Sequence, residues 1–409
     1  MERSIAIYTL TSELHNEEAV AAQTQEFLAS LGLEYDFRGN DYGDYGRYAL
    51  SLIFVRTGGT EGIFRRLLPT LLGKARHGFL LLTSGKSNSL AASMEILSFL
   101  RQQGIGGEII HGRADYVRAR VLLLAKASEA LRGLQGVRLG IVGEPSDWLI
   151  ASQADAERVK ALLGIELIDI PMQELLDVIA ETKELPVAPM DWPAAEPAVG
   201  AALPGAIRIY EALRRLVQRH RLQGFTLRCF DLLSAVGNTG CLALARLNAQ
   251  GLVAGCEGDV PAMLSMMVGR TLTAVSGFQA NPAAIDCAAG EILFAHCTIP
   301  LDMVQRYELD THFESGIGVG IRGFLEPGPV TVFKLSGDLQ RSFIAEGRLE
   351  GCQSASDLCR TQLRIVLSDK SQANYFLTQP IGNHHIVLPG HRGAELQQLL
   401  HFMHQVPLD

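Results

Sequence analysis

The 409-residue chain has no basic block. Lys and Arg number 36 against 44 Asp and Glu, for a net charge of −8, and the cations are scattered, with only local pairs such as Arg65–Arg66 and Arg214–Arg215. A surface that tracks a phosphate backbone needs clustered cations, so nucleic acid is not an expected partner. No apolar run reaches the roughly 18 residues that suggest a membrane span; the run in Gly78–Thr83 is short and ends in SGKSNS. The opening MERSIAIYTL has no long apolar core before a cleavage site and reads as a first strand rather than a signal peptide. No Cys-x-x-Cys occurs among the seven cysteines, at 229, 241, 256, 287, 297, 352 and 359. Their odd number and mostly apolar or mixed surroundings suit free thiols in a reducing compartment. The expectation is therefore a cytoplasmic protein with no membrane partner. Nucleotide fingerprints are missing too: neither GxGxxG nor a Walker A loop is present, and Lys86 in SGKSN lacks the upstream glycine spacing of a P-loop. The histidines are not spaced as HExxH or as a zinc finger, and no short tandem repeat is found.

What is present is ordinary globular composition, 47% apolar and 20% charged, in a chain too long for one core. In the first third, short apolar runs alternate with amphipathic helical stretches. SIAIYTL (4–10), LSLIFV (50–55), GFLLLT (78–83) and GEIIHG (107–112) read as strands, with helices over 19–31, 62–72, 90–103 and 114–134. Such alternation predicts βα units around a parallel sheet. The pattern restarts at VRLGIVGEPSDW and continues through GIELIDI (164–170), a Pro- and Ala-rich excursion at 184–205, a helix over 206–220, FTLRCFDLL (225–233), a helix from 237 to 251 and EILFAHCTIP (291–300). From residue 301 short strand-like pieces with Gly and Pro turns predominate, before a helix over 393–404. The expected organisation is an α/β fold: two Rossmann-like (flavodoxin-like) parallel-sheet domains, 1–135 and 136–300, then a β-rich, barrel-like domain, 301–409.

Parallel sheets place ligand loops at the carboxyl ends of their strands. RTGGTE (56–61) and TSGKSNS (83–89) fall there and mark Arg56, Thr57, Lys86 and Asn88 as candidate contacts to a polyol or sugar, or as ordinary polar turns. VAGCEGDVPAML (253–264) carries two acids where a strand gives way to a helix. Asp259, before Val-Pro, reads as a helix cap. Glu257 lies just outside the helix, where no cap needs it, and is the leading candidate for acid–base or ligand chemistry. Asn281 in GFQANPAAID is a common turn starter before proline, yet its amide oxygen can bind a hard metal; Asp286 in the same stretch is a second carboxylate or a solvated loop charge. His296 and Cys297 would point to opposite faces of a strand, which makes them a poor bidentate pair, and His296 reads as packing or supporting. His312 and Glu314 in DTHFES can share one surface, and Asp310 can join them. His384 and His385 in GNHHIVLPGHR point apart if extended, so one can bind while the other packs.

Taken together, LIFVRTGGTE, IVGEPSDW, GCEGDVPAMLSMM, GFQANP…LFAHC and GNHHIVLPGH resemble the L-fucose isomerase and L-arabinose isomerase superfamily over essentially the whole length. The resemblance implies a divalent-metal enzyme, usually with Mn2+, that interconverts an aldose and a ketose, and a homo-oligomer (trimer or hexamer) with sites near subunit boundaries. It implies metal ligation by Glu257, by Asn281 where the family has aspartate, and by His384 with His385 as its rival. Proton transfer falls to Glu257, with Asp286, Asp259 or a carboxylate of DTHFES as alternatives, and Arg56, Thr57, Lys86, Asn88, His312 and His385 are expected to contact an open-chain monosaccharide or derivative. The asparagine weakens the ligand set, so a carbohydrate-binding or regulatory protein without turnover, or a related epimerase or lyase, stands as the alternative.

Overall fold

The computed structural model describes residues 4–182 and 196–405. It divides into two compact units, Met1–Gly133 with Gln397–Asp409, and Leu134–Leu396.

In the first unit, strands β1 (Ile5–Leu10), β2 (Asp36–Gly39), β3 (Leu50–Val55), β4 (Phe79–Leu82) and β5 (Gly107–Ile110) form a parallel sheet in the order β2-β1-β3-β4-β5. β1, β3 and β4 are buried at every residue, as the continuous apolar runs require of strands covered on both faces. The polar β2, DFRG, has no such run and escapes sequence reading. The helix Gly393–His404 matches its expected span. Its Phe402 stacks on His77 at 4.4 Å, and Gly78 N–H donates to Gln405 Oε1 at 2.9 Å.

The second unit opens with a four-stranded parallel sheet of β6 (Arg138–Val142), β7 (Glu166–Ile170), β8 (Gly224–Leu227) and β9 (Val253–Cys256), in the order β7-β6-β8-β9. It continues into a closed barrel, β10 (Phe278–Asp286), β11 (Glu291–His296), β14 (Gly328–Leu335), β15 (Ser342–Gln353), β16 (Thr361–Leu367) and β17 (His385–Pro389), with a separate hairpin of β12 (Arg306–Asp310) and β13 (Gly320–Phe324). The expected architecture of two parallel-sheet regions followed by a barrel is present.

Three local expectations are corrected. The barrel starts at Phe278, not after residue 300, because β11 pairs with β16 and not with the parallel sheet. β10 is a strand despite Pro282, which sits where the β10–β11 register shifts; a bulge is one of the few places a paired strand accepts proline. Residues 184–195 of the Pro- and Ala-rich excursion lie outside the described residues, and the rest leads into the 24-residue helix Pro197–His220. Among the described residues no helix is long and apolar enough to cross a membrane. All seven cysteines are free.

Candidate metal centre

At the carboxyl end of β9 the chain turns through Glu257, Gly258 and Asp259 into the helix Val260–Thr273. Two consecutive residues take left-handed backbone angles, Glu257 at φ +63° and Gly258 at φ +70°. For glutamate this costs on the order of 1 kcal/mol. Gly258 admits no side chain, since a Cβ there would meet Glu144 O at 2.6 Å and Pro145 Cα at 2.7 Å. The loop after β6 thus lies against the acidic turn, and Ser146 N–H donates to Glu257 O at 2.9 Å.

The strained turn directs the Glu257 side chain to the end of the barrel where β11 finishes and β17 begins. Glu257 Oε1 lies 3.6 Å from His296 Nε2 and 3.4 Å from His384 Nε2. Its Oε2 accepts the Trp148 indole N–H at 2.6 Å. One ligand atom from each of Glu257, His296 and His384 falls within 4.8 Å of the others, and all three residues are buried. Both rings are anchored by their other nitrogen: His296 Nδ1 pairs with Thr298 Oγ1 at 3.0 Å, and His384 Nδ1 donates to Asp259 Oδ2 at 2.9 Å. β10 supports the assembly by pairing with β11 on one side and β17 on the other. The Gln279 amide clamps the residue before Glu257, accepting from Cys256 N–H at 2.8 Å and donating to Cys256 O at 3.2 Å.

His384 Nε2 is buried without a hydrogen-bond partner. Such an atom is costly unless something fills its lone pair. One carboxylate and two imidazoles, each ring held by its far nitrogen, are the donors expected of a divalent-ion site, and the residues present fit one. Two imidazoles make the set suited to Fe, Co or Zn as well as Mn.

The charges are strongly coupled. Burial opposes ionisation of Glu257, but His384 and His296 hold it well below the usual carboxylate range. Burial likewise opposes ionisation of Asp259, but Lys334 and His384 bring it down to about 2. For His384, burial favours the neutral ring, yet Glu257 and Asp259 raise it to about 9. Without an ion, a proton on His384 supplies the missing positive charge.

An aromatic wall leads outward. Trp148, 51% exposed, packs edge-on to Phe230 at 4.8 Å, and Phe230 does so to His312 at 5.5 Å. Burial, with His296 and Arg360 nearby, lowers His312 to about 4, so its ring is neutral at ordinary pH.

Several candidates from the sequence lie elsewhere. Asp286 is a correction: it sits in the β10–β11 turn, exposed, with its carboxylate accepting from the Ala288 and Ala289 N–H groups at 2.9 Å. It is paired across from Glu291, at the opposite end of β11 from His296. His385 is a second correction. Its ring is enclosed by Phe294, Phe343, Tyr375 and Phe376, with Nε2 3.1 Å from Tyr375 Oη, and burial lowers it to about 3. His384 is therefore the ring that joins Glu257. Asn281 shares a face of β10 with Gln279, and its Oδ1 is buried without a partner. Asp310 is tied to Arg322 and Arg360, and Glu314 is exposed.

In the first unit, Arg56 is 7% exposed in its side chain and donates to Thr24 Oγ1, Thr11 Oγ1 and Glu17 Oε1. It lines a crevice of about 750 Å³ at the ends of β1, β2 and β3, with Thr11, Ser12, Asn40 and Phe37. This is the place where strand order reverses, between β1 and β3. Thr57 is fully buried and accepts from Ser12 N–H, a role in shaping that loop. Lys86 pairs with Glu26 at the surface, and Asn88 packs under Gly58 with a left-handed backbone.

Sequence reading gave His296 a packing or supporting role, whereas the structure places it in the cluster itself. It did not single out Trp148, seen only as part of IVGEPSDW, or Lys334, which lies in the apolar run TVFKL.

No protein-family model matches the chain. The chain is distantly related to curated sulfoquinovose isomerases: 26% identity over 216 residues to that of Clostridium sp. (strain MSTE9), covering 51% of this chain and 47% of the relative; 23% over 267 residues to that of Priestia aryabhattai, covering 61% and 59%; and 21% over 266 residues to that of Alkalicoccus urumqiensis, covering 61% and 59%. The matched region thus spans about half to three-fifths of those relatives. The resemblance to sugar isomerases holds at that level, while the relatives found carry a different name from the L-fucose and L-arabinose enzymes.

Proposed function

We propose that this protein is a metal-dependent isomerase that interconverts an aldose and a ketose through an enediol. The observation that carries this reading is the buried Glu257–His296–His384 cluster with an unfilled imidazole nitrogen, in a chain distantly related to sugar isomerases. Glu257, His296 and His384 would hold the ion, Mn2+ in the first instance, with the buried Asn281 Oδ1 as a fourth donor. When bound, the ion supplies polarisation of the sugar carbonyl and stabilises developing charge on oxygen.

The protein groups do the rest. Trp148 bonds Glu257 Oε2 while Oε1 lies near both imidazoles, which divides the carboxylate into a ligating oxygen and an oxygen facing the half-exposed indole. We assign the transfer of a proton between C2 and C1 to that second oxygen. Of the other expected carboxylates, Asp259 is engaged by a cap and His384, Asp310 by two arginines and Asp286 by a hairpin turn, and Glu314 is exposed. The Trp148–Phe230–His312 wall is suited to the apolar face of a sugar, with a neutral His312 as hydrogen-bond partner. In the first unit, the Arg56 crevice is our candidate for hydroxyl contacts. The substrate is a monosaccharide or derivative, the assembly a homo-oligomer, and the location cytoplasmic.

Purified protein, stripped of metal and reloaded with Mn2+, is to be incubated with sulfoquinovose and unsubstituted aldoses and followed by NMR in D2O. Mass-conserving conversion with exchange at C2 is expected, and Glu257→Gln should abolish it. A wild-type protein that binds no divalent ion overturns the reading. Asn281 favours one rival, a carbohydrate-binding protein without turnover; saturable sugar binding with no product from the metal-loaded protein would select it.

A further inference from the structure

The carboxyl ends of β8 and β9 bring two thiols together. Leu227 is paired with Cys256 in the register of these strands, and Cys229 follows two residues after Leu227. The two sulfur atoms lie 2.9 Å apart, inside the roughly 3.5–4 Å at which unbonded heavy atoms attract best. Both residues are buried, Cys229 at 6% exposure and Cys256 at 3%. From 2.9 Å, a disulfide bond of about 2.05 Å needs a further approach of about 0.9 Å. In the reducing compartment expected of this chain, a disulfide is a transient or sensing device rather than a permanent staple.

The place of the pair gives a bond there consequences beyond packing. Cys256 immediately precedes Glu257, and Cys229 immediately precedes Phe230, the middle ring of the aromatic wall. The two cysteines are not equally free to move. The Gln279 amide, on barrel strand β10, holds both the N–H and the carbonyl of Cys256. Cys229 lies in the turn between β8 and the short helix Asp231–Val236, where its carbonyl accepts from Leu232 N–H at 3.2 Å. The approach of the sulfurs therefore falls on Cys229, and Phe230 moves with it.

We propose that Cys229 and Cys256 are a peroxide-sensitive dithiol whose reversible disulfide shifts Phe230 in the aromatic wall and leaves the metal donors in place. Hydrogen peroxide, little larger than water, is the oxidant. It breaks its O–O bond to give a sulfenic acid on Cys229, the more exposed thiol, and one water. The Cys256 sulfur then attacks the Cys229 sulfur: the S–S bond forms, the S–O bond breaks, and a second water leaves with the Cys256 thiol hydrogen. Two thiols are oxidised and one peroxide is reduced. A small dithiol returns both cysteines to the free state by exchange. The disulfide itself stands on the sulfur geometry alone; its effect on a sugar rests on the isomerase reading above.

The test treats the full-length protein with hydrogen peroxide, alkylates the remaining thiols and maps the peptides by mass spectrometry without reduction. A Cys229–Cys256 linked peptide, two hydrogens lighter than its parts, is expected; it should vanish on adding dithiothreitol and be absent from Cys229→Ala, whose folding is checked by circular dichroism. A map in which both cysteines stay alkylated, or in which Cys297 and Cys359, the other hydrogen-bonded thiol pair, are linked instead, overturns the proposal. In the oxidised protein Mn2+ affinity, measured by calorimetry, should stay within about threefold while KM for the sugar rises at least about fivefold, the mark of lost substrate binding rather than lost metal. Dithiothreitol should restore KM, and peroxide should leave the KM of Cys229→Ala unchanged. The indole N–H resonance of Trp148, assigned with Trp192→Phe, provides a readout that needs no turnover: it should shift on oxidation as the Phe230 ring moves beside it. A disulfide that leaves this resonance unmoved, or that removes Mn2+ binding, overturns the proposal. If the reduced wild type converts no sugar, the isomerase reading fails, and the linked peptide and the Trp148 resonance decide the role of the pair. Should Cys229→Ala not fold, Cys229→Ser, of the same shape, replaces it.

Discussion

The molecule has two parallel sheets whose carboxyl ends are finished differently. The five-stranded sheet ends in loops of small hydroxyl residues around a buried arginine already satisfied by Thr11, Thr24 and Glu17. The four-stranded sheet ends in a strained acidic turn that meets two histidines from the barrel. The same architecture thus yields a polar crevice in one case and a concentrated set of metal donors in the other. The difference lies in what closes over the strand ends: local loops supply hydroxyls from the same βα units, whereas a barrel brings imidazoles from far along the chain.

That contrast can be broken most directly at Glu257. Glu257→Gln should lower kcat by at least about 10³-fold and remove tight Mn2+ binding, measured by turnover and calorimetry, because it removes the sole carboxylate of the cluster. His296→Ala should weaken Mn2+ binding by at least about 100-fold, whereas His385→Phe should leave it within about threefold, since only the former ring faces Glu257. The pH dependence of affinity sharpens the point. In the metal-free protein His384 holds its proton up to about 9, and an ion must displace it, so Mn2+ affinity should rise about tenfold per pH unit towards pH 9 and then level off. Trp148→Phe keeps the aromatic wall but loses the indole donor to Glu257. Its kcat should fall about tenfold with little change in metal affinity, a split visible by combining kinetics with calorimetry. The smallest effect belongs to the other sheet: Arg56→Met should leave Mn2+ affinity unchanged and, if the crevice contacts sugar, raise KM a fewfold.

Legibility followed the range of the interactions. β1, β3 and β4 were readable because a strand covered on both faces must be apolar throughout. β10 was not, because Asn281 and Pro282 spell a turn until a bulge and two neighbouring strands accommodate them. Asp259 was readable as a cap, a contact within three residues, but its bonds to His384 and Lys334 cross more than seventy positions of the chain. Alternation required His384 and His385 to part. It did not say which would face the acid and which would enter the aromatic cluster.

By itself, then, the order of residues determined the βα alternation, the β-rich final third and an acid at 257 that no helix needed, since these depend on periodicity and on bonds within one turn. Only tertiary structure decided that His296 completes the cluster, that Asp286 does not, and that a buried lysine stands behind His384. Those outcomes depend on barrel closure, which fixes strand register and so selects which face of each strand meets the acidic turn.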